Sequence, residues 1–172
     1  MLTARQIVNE GIITGQLRDD NIQQVGIDLN VLKIQRIYGG GIIPEKGKTK
    51  LGQKELVPKQ SGKEIGLENA VWVLEPGVYD VTFEQGCKIP DNRTLLIRQR
   101  SSLLRNGVNL HSSVFDPGFE TEQMGTVMQV FVPIVIEYGA RIAQALVYQH
   151  DAVDKDDLYN GQFQKDKQRE NN

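Results

Sequence analysis

Arg98, Arg100 and Arg105, with Ser101 and Ser102 among them, put three guanidinium groups and two hydroxyls within eight residues, directly after an apolar stretch. Guanidinium forks and hydroxyl donors complement the oxygens of a polyphosphate. Taken alone, the same residues equally describe an exposed strand end with Ser-rich turn chemistry. A short helix beginning here, capped by Ser101 or Ser102, would add free backbone N–H groups that favour an anion. Further along, Asp116 follows Val114 and Phe115 and precedes Pro117-Gly118. A carboxylate in that setting sits at a strand end, where it either projects into a site as a base or serves ordinary Asp-Pro-Gly turn chemistry. Phe119 would be core by default, yet beside Asp116 it offers a flat apolar surface.

Two other features look chemical and are not. Gly47-Lys48-Thr49 resembles the end of a phosphate-binding loop, but the required spacing calls for glycine at position 42, which is Ile42. The single cysteine, Cys87, excludes an internal disulfide framework, and with two histidines the chain has no self-contained Cys/His metal site. Cys87 reads as a small buried apolar residue.

The elements that must position these residues are mostly strands. Thr3 and Gln6 have capping-box spacing, which predicts a short helix over 4–10. From Ile27 onward the apolar segments are short, β-branched and bounded by turn residues, and they predict strands at 27–34, 70–74, 78–83, 94–98, 108–111, 126–132, 133–137 and 141–149. Many short strands, little helix and 17 glycines favour a closed or two-sheet antiparallel barrel. The Gly- and Lys-rich stretch 38–66 reads as a mobile surface connection, and 151–172 as a polar tail with two aromatics, Tyr159 and Phe163.

The 172 residues fit one domain, and 39% hydrophobic with 24% charged residues is a globular composition. A net charge of −2 gives no overall basic field for long nucleic acid, and no apolar run is long enough to span a bilayer. A soluble, cytoplasmic chain is therefore expected.

Three motifs in order, Arg100-Ser101-Ser102-Leu103-x-Arg105, Asp116-x-Gly118-Phe119 and Gly139-x-Arg141-Ile142-x-Gln144, resemble those of the dUTPase and dCTP deaminase superfamily. The opening Met1-Leu-Thr-Ala-Arg-Gln-Ile, Gly26-Ile27-Asp28-Leu29, Leu74-x-Pro76-Gly77 and the tail 159–164 are similar to the deaminase branch. The resemblance implies an all-β, distorted antiparallel β-barrel, jelly-roll-like, with a short N-terminal helix, over residues 1–155, and a flexible lid over 156–172. It implies a homotrimer with active sites between subunits, acting on a deoxynucleoside triphosphate with Mg²⁺ held mainly through substrate phosphates and no metal-binding residues of its own. Arg100, Ser101, Ser102, Arg105 and Gln144 would hold phosphates. Asp116 would bind the 3′-hydroxyl and orient the attacking water. Phe119 would stack under deoxyribose and leave no room for a 2′-hydroxyl, and Phe163 would cover the nucleotide, with Lys165 a weaker candidate for phosphate.

Base selection in the family comes from backbone groups of the hairpin that is 106–115 here. Its deaminases carry a glutamate ten residues after the motif aspartate, where an ungapped register puts Thr126. Threonine cannot ionise near neutral pH and so cannot replace a general acid/base. The resemblance therefore favours a dUTP diphosphatase, releasing dUMP for thymidylate synthesis. The alternatives are a dCTP deaminase or bifunctional dCTP deaminase-dUTPase, if a bulge near Thr121 brought Glu120 or Glu122 into place, and a catalytically silent trimeric nucleotide-binding protein.

Overall fold

The computed structural model describes residues 1–164. In chain order it contains α1 (Ala4–Asn9), β1 (Ile13–Thr14), β2 (Ile27–Ile37), β3 (Lys54–Leu56), β4 (Val71–Leu74), β5 (Gly77–Phe83), β6 (Gly86–Lys88) and β7 (Arg93–Gln99). There follow α2 (Ser101–Arg105), β8 (Val108–His111), β9 (Val114–Phe115), β10 (Glu120–Thr121), β11 (Gly125–Val130), β12 (Ile134–Glu137) and β13 (Arg141–Gln149).

One large antiparallel sheet runs β8-β11-β5-β2-β13-β7-β9, with β3 added to β2; β1-β6-β10 and β4-β12 form two smaller sheets. The large sheet curls but does not close its ladder. Side chains bridge the remaining gap between β7 and β8: Leu110 N–H donates to Gln99 Oε1 at 2.7 Å and Ile97 N–H to Ser112 Oγ at 3.2 Å. The outcome is mostly β, as strand counting suggested, and of the closed or two-sheet antiparallel barrel expected it takes the form of a curled, open half-barrel.

Strand alternation decides which side chains enter the core. In β5, Tyr79, Val81 and Phe83 are buried while Val78, Asp80 and Thr82 take the other face. In β11, Thr126, Met128 and Val130 face inward. The long strand β2 pairs with β13 through residues 27–30 and with β5 through 31–36, with a register shift between Val31 and Lys33 that lets it serve both neighbours. Its entry depends on Gly26, at φ 74°, where a Cβ would lie 2.6 Å from the Ala145 carbonyl oxygen.

The capping box at Thr3 and Gln6 forms as its spacing predicts. Such a cap is worth about 1 kcal/mol, and a paired Arg93–Glu10 contact at 2.9 Å ties the helix end to β7. Two local expectations differ. Arg100, not a serine, occupies the N-cap of α2, without a side-chain cap bond, so Ser101 and Ser102 are its first helical residues. The 38–66 stretch is also more ordered than its composition suggests: it contains β3 and an Ile42–Lys50 bridge, and Gln162 brackets the Thr49 backbone from the tail.

Candidate active site

Asp116, Pro117, Gly118 and Phe119 make one turn. Phe119 N–H donates to the Asp116 carbonyl at 3.1 Å, and Gly118 has φ 85°. Proline then glycine at the two central positions is the chemistry of a type II turn, whose third residue needs positive φ. Gly118 is needed for a second reason, since a Cβ there would stand 2.9 Å from Leu158 Cβ in the tail. The turn fixes Phe119 between Phe115 and Tyr159, with ring centroids 5.4 and 5.3 Å away and both contacts edge-to-face.

Asp116 and Phe119 line a cavity of about 640 Å³, together with Thr126, Lys54, Asp80 and Phe163 among others. That volume suits a nucleotide-sized ligand, and the walls are mainly apolar, as binding sites commonly are. Asp116 is exposed, and among the described residues its carboxylate has no hydrogen-bond or ion-pair partner. Thr126 belongs to the inward row of β11, and its hydroxyl donates to the His111 carbonyl. Neither Glu120 nor Glu122 lines the cavity; Glu120 lies on β10 against Lys88, 3.8 Å away.

The tail lies against the same turn. Tyr159 N–H donates to the Pro117 carbonyl at 2.8 Å, Gln164 Nε2 donates to the Gly118 carbonyl at 2.8 Å, and Glu120 N–H donates to Gln164 Oε1 at 2.9 Å. These bonds hold Phe163 at the cavity wall. Lys165 lies outside the described residues.

Two of the phosphate candidates, Arg100 and Gln144, gather elsewhere, around a carboxylate that sequence reasoning did not assign to the site. Asp28 on β2 is directly opposed to Gln144 on β13, which is opposed to Arg98 on β7, so the three share one row across the sheet. Asp28 is 1% exposed. Arg100 Nε lies 3.3 Å and Arg141 Nη1 3.4 Å from Asp28 Oδ2, and Gln144 Nε2 donates to Asp28 Oδ1 at 3.3 Å. Burial pushes the Asp28 carboxyl above the ordinary carboxylate range, and the two guanidinium groups only partly offset that. Beneath it Asn21, Asn30 and Gln85 form a buried hydrogen-bonded network. The signal for Asp28 was present in Gly26-Ile27-Asp28-Leu29, but its role depends on cross-strand register.

Ser101, Ser102 and Arg105 are exposed on α2, and none of the five phosphate candidates lines the cavity. Within one chain, then, Asp116, Phe119 and Phe163 come together, while Arg100 and Gln144 form a second group. Among the described residues no cluster of three or more His, Cys, Asp or Glu side chains could hold a metal ion, and no helix is long and apolar enough to cross a membrane. Cys87 is fully buried and its thiol is pushed up to about 12 by burial, which leaves it no role as a nucleophile.

An all-β half-barrel with an aspartate and an aromatic set on one turn beside a nucleotide-sized cavity defines a class, and sequence comparison agrees with it. Residues 2–150 match the model of the dCTP deaminase-like family, so the chain belongs to that family, within the dUTPase and dCTP deaminase superfamily. It is 41% identical over 130 residues to the deoxyuridine 5′-triphosphate nucleotidohydrolase of Methanocaldococcus jannaschii, covering 74% of this chain and 78% of that one. It is 33% identical over 165 residues to a probable enzyme of the same name from Aeropyrum pernix, covering 95% and 96%. The fold is similar to that of the 2′-deoxycytidine 5′-triphosphate deaminase of Agrobacterium tumefaciens, with a TM-score of 0.62 at 15% identity, covering 85% of this chain and 46% of that one.

Proposed function

We propose that this protein hydrolyses dUTP to dUMP and pyrophosphate. The observation that carries the reading is the Asp-Pro-Gly-Phe turn, which sets a ring and a carboxylate without a partner among the described residues on the wall of a cavity where the inward position 126 is a threonine. Asp116 takes a proton from water for in-line attack at the α-phosphorus. Phe119 packs against deoxyribose. Deamination at C4 would need a titratable group where Thr126 already donates its hydroxyl to the backbone.

The arginine group completes the site from another copy of the chain, which makes the working unit a homotrimer. Supporting this, the face that carries α2 also exposes Leu104, Phe131 and Val132, and Phe131 N–H donates to Gly107 just beyond that helix. Apolar side chains clustered beside a charged group are what an intersubunit rim needs. Arg100, Arg105, Ser101, Ser102 and Gln144 then stabilise the charge that develops on the phosphates.

The donor set fits Mg²⁺ carried by the triphosphate, since that ion keeps waters and leans on phosphate oxygens rather than requiring a protein cage. When bound it neutralises phosphate charge and fixes the coil of the triphosphate. No residue of this chain is assigned to it. An enzyme acting on the deoxynucleotide pool would work in the cytoplasm.

Purified protein incubated separately with dUTP and dCTP is expected to release pyrophosphate from dUTP and no ammonia from dCTP. Ammonia from dCTP would establish the deaminase instead, and turnover of neither would leave a silent binding protein. The tail makes its own prediction. Gln164 contributes two hydrogen bonds to the turn, each worth about 1 kcal/mol net. Gln164→Ala is therefore expected to raise KM for dUTP about tenfold with kcat little changed, and to make the tail more sensitive to limited proteolysis. Unchanged KM and unchanged cleavage would separate the tail from the site.

A further inference from the structure

The tail crosses the cavity between two banks. On one side Gln164 grips the Asp116–Phe119 turn and β10, with Nε2 donating to the Gly118 carbonyl and Oε1 accepting from Glu120 N–H. On the other, Gln162 makes the same kind of contact with the backbone of a single residue. Thr49 N–H donates to Gln162 Oε1 at 2.9 Å, and Gln162 Nε2 donates to the Thr49 carbonyl at 3.3 Å. A side-chain amide carries donor and acceptor side by side, so it pairs with a backbone N–H and C=O as a strand would. Phe163 stands between the two glutamines and lines the cavity.

Thr49 belongs to an arm, residues 38–53, that joins the end of β2 to the start of β3. None of the three motifs that resemble the superfamily's lies in it. The arm is nonetheless built. Tyr38 N–H donates to the Gln53 carbonyl at 3.1 Å, and Ile42 and Lys50 exchange both backbone bonds at 2.9 and 3.0 Å. Its two sides approach so closely that a Cβ on Gly52 would collide with the Gly39 carbonyl, and one on Gly41 with the Lys50 carbonyl. Leu51 and Gly52 from the arm line the same cavity as Tyr159 and Phe163 from the tail.

We infer that the 38–53 arm is the seat of the tail, and that Gln162, as a positioning residue, latches Phe163 over the cavity by bridging to Thr49. The bridge uses only the backbone of Thr49, so the arm acts through its shape and not through that side chain. Without the bridge the tail is anchored at the turn alone, and Phe163 loses one of its two supports. A ligand that needs the tail in place then binds more weakly, in proportion to the fraction of chains in which the tail is seated.

The effect on nucleotide binding rests on the reading that the cavity takes a deoxynucleoside triphosphate, so the tail is followed separately, by hydrogen exchange at residues 159–164 of the full chain without nucleotide. Gln162→Ala is expected to speed that exchange about tenfold and to raise KM for dUTP by a similar factor, with a smaller change in kcat. Gln162→Glu keeps the acceptor for Thr49 N–H and loses the donor, and should fall between Gln162→Ala and the unsubstituted chain. Thr49→Ala should match the unsubstituted chain. Replacing residues 40–51 by Asn-Gly joins Gly39 to Gly52 through a two-residue turn and keeps the β2–β3 ladder. In that background Gln162→Ala should have no further effect, because its partner is gone. Unchanged exchange in Gln162→Ala, or equal effects of that substitution with and without the arm, in chains with unchanged thermal midpoints, overturns the latch and leaves the nucleotide site standing. Absence of dUTP turnover by the unsubstituted protein overturns the hydrolase reading, and the exchange rates alone then decide the latch.

Discussion

Asp116→Asn is expected to lower kcat for pyrophosphate release from dUTP by about 10³-fold while leaving the fold and KM nearly unchanged, since a positioned base contributes about 10²–10⁴ in rate. Asparagine has the same shape and still accepts a hydrogen bond from a 3′-hydroxyl, so binding survives. It cannot take a proton from water, so the chemical step does not. The fold has no stake in the carboxylate: the turn is closed by the backbone bond from Phe119 to the Asp116 carbonyl, and among the described residues the side chain has no partner. Substitutions at such positions usually change stability by about 0.5 kcal/mol or less. Continuous pyrophosphate assays and thermal unfolding of the same preparations check both halves. Robust turnover by the variant, with an unchanged melting midpoint, would remove Asp116 from the reaction.

What could be read in the chain is what is local. The Thr3–Gln6 box and the Pro117-Gly118 turn each need only their own few residues, and both take the expected form. The longer strands are legible because alternation over several residues, as in 77–83, leaves a pattern. β1, β9 and β10 have two residues each, too few to alternate, and exist because a neighbouring strand offers a ladder. The serine cap of α2 failed for a similar reason: Arg100 is held at the helix start by its backbone bond to Ile142 and its contact with Asp28, so the cap falls one residue early. Within the site, the Asp116–Phe119 pair was visible because one turn carries both. Asp28 was not, because it becomes a site feature only when strands distant in sequence lie side by side.

Asp28→Asn carries the second large effect, and it moves stability and activity in opposite directions with pH. Asp28 holds Arg100 and Gln144, both candidates for phosphate, through a carboxylate that is itself removed from solvent. Loss of its charge releases the two guanidinium groups, and misplacement of binding groups by about 1 Å can cost 10²-fold. A fall in kcat/KM for dUTP of about that size is expected, with Asp116 and its turn untouched. Stability follows a different course. Burial raises the Asp28 pKa in the folded chain, so the folded state binds this proton more tightly than the unfolded state does. Below the ordinary aspartate value both states are protonated and nothing changes. As pH rises from there to the raised folded value, the unfolded carboxyl ionises first and wild-type stability falls, then levels once the folded carboxyl has ionised. The asparagine variant lacks this slope, so its unfolding free energy should gain on the wild type across that window. Wild-type activity should rise across the same window, because the ionised carboxylate is the form that grips Arg100. Arg100 and Arg141 retain 34% and 27% side-chain exposure, so solvent moderates the penalty of leaving them without their partner. Urea unfolding and dUTP turnover measured over one pH series test the pair of slopes. Parallel stability profiles for variant and wild type, together with full activity in the variant, would show that the buried carboxylate neither strains the fold nor positions Arg100.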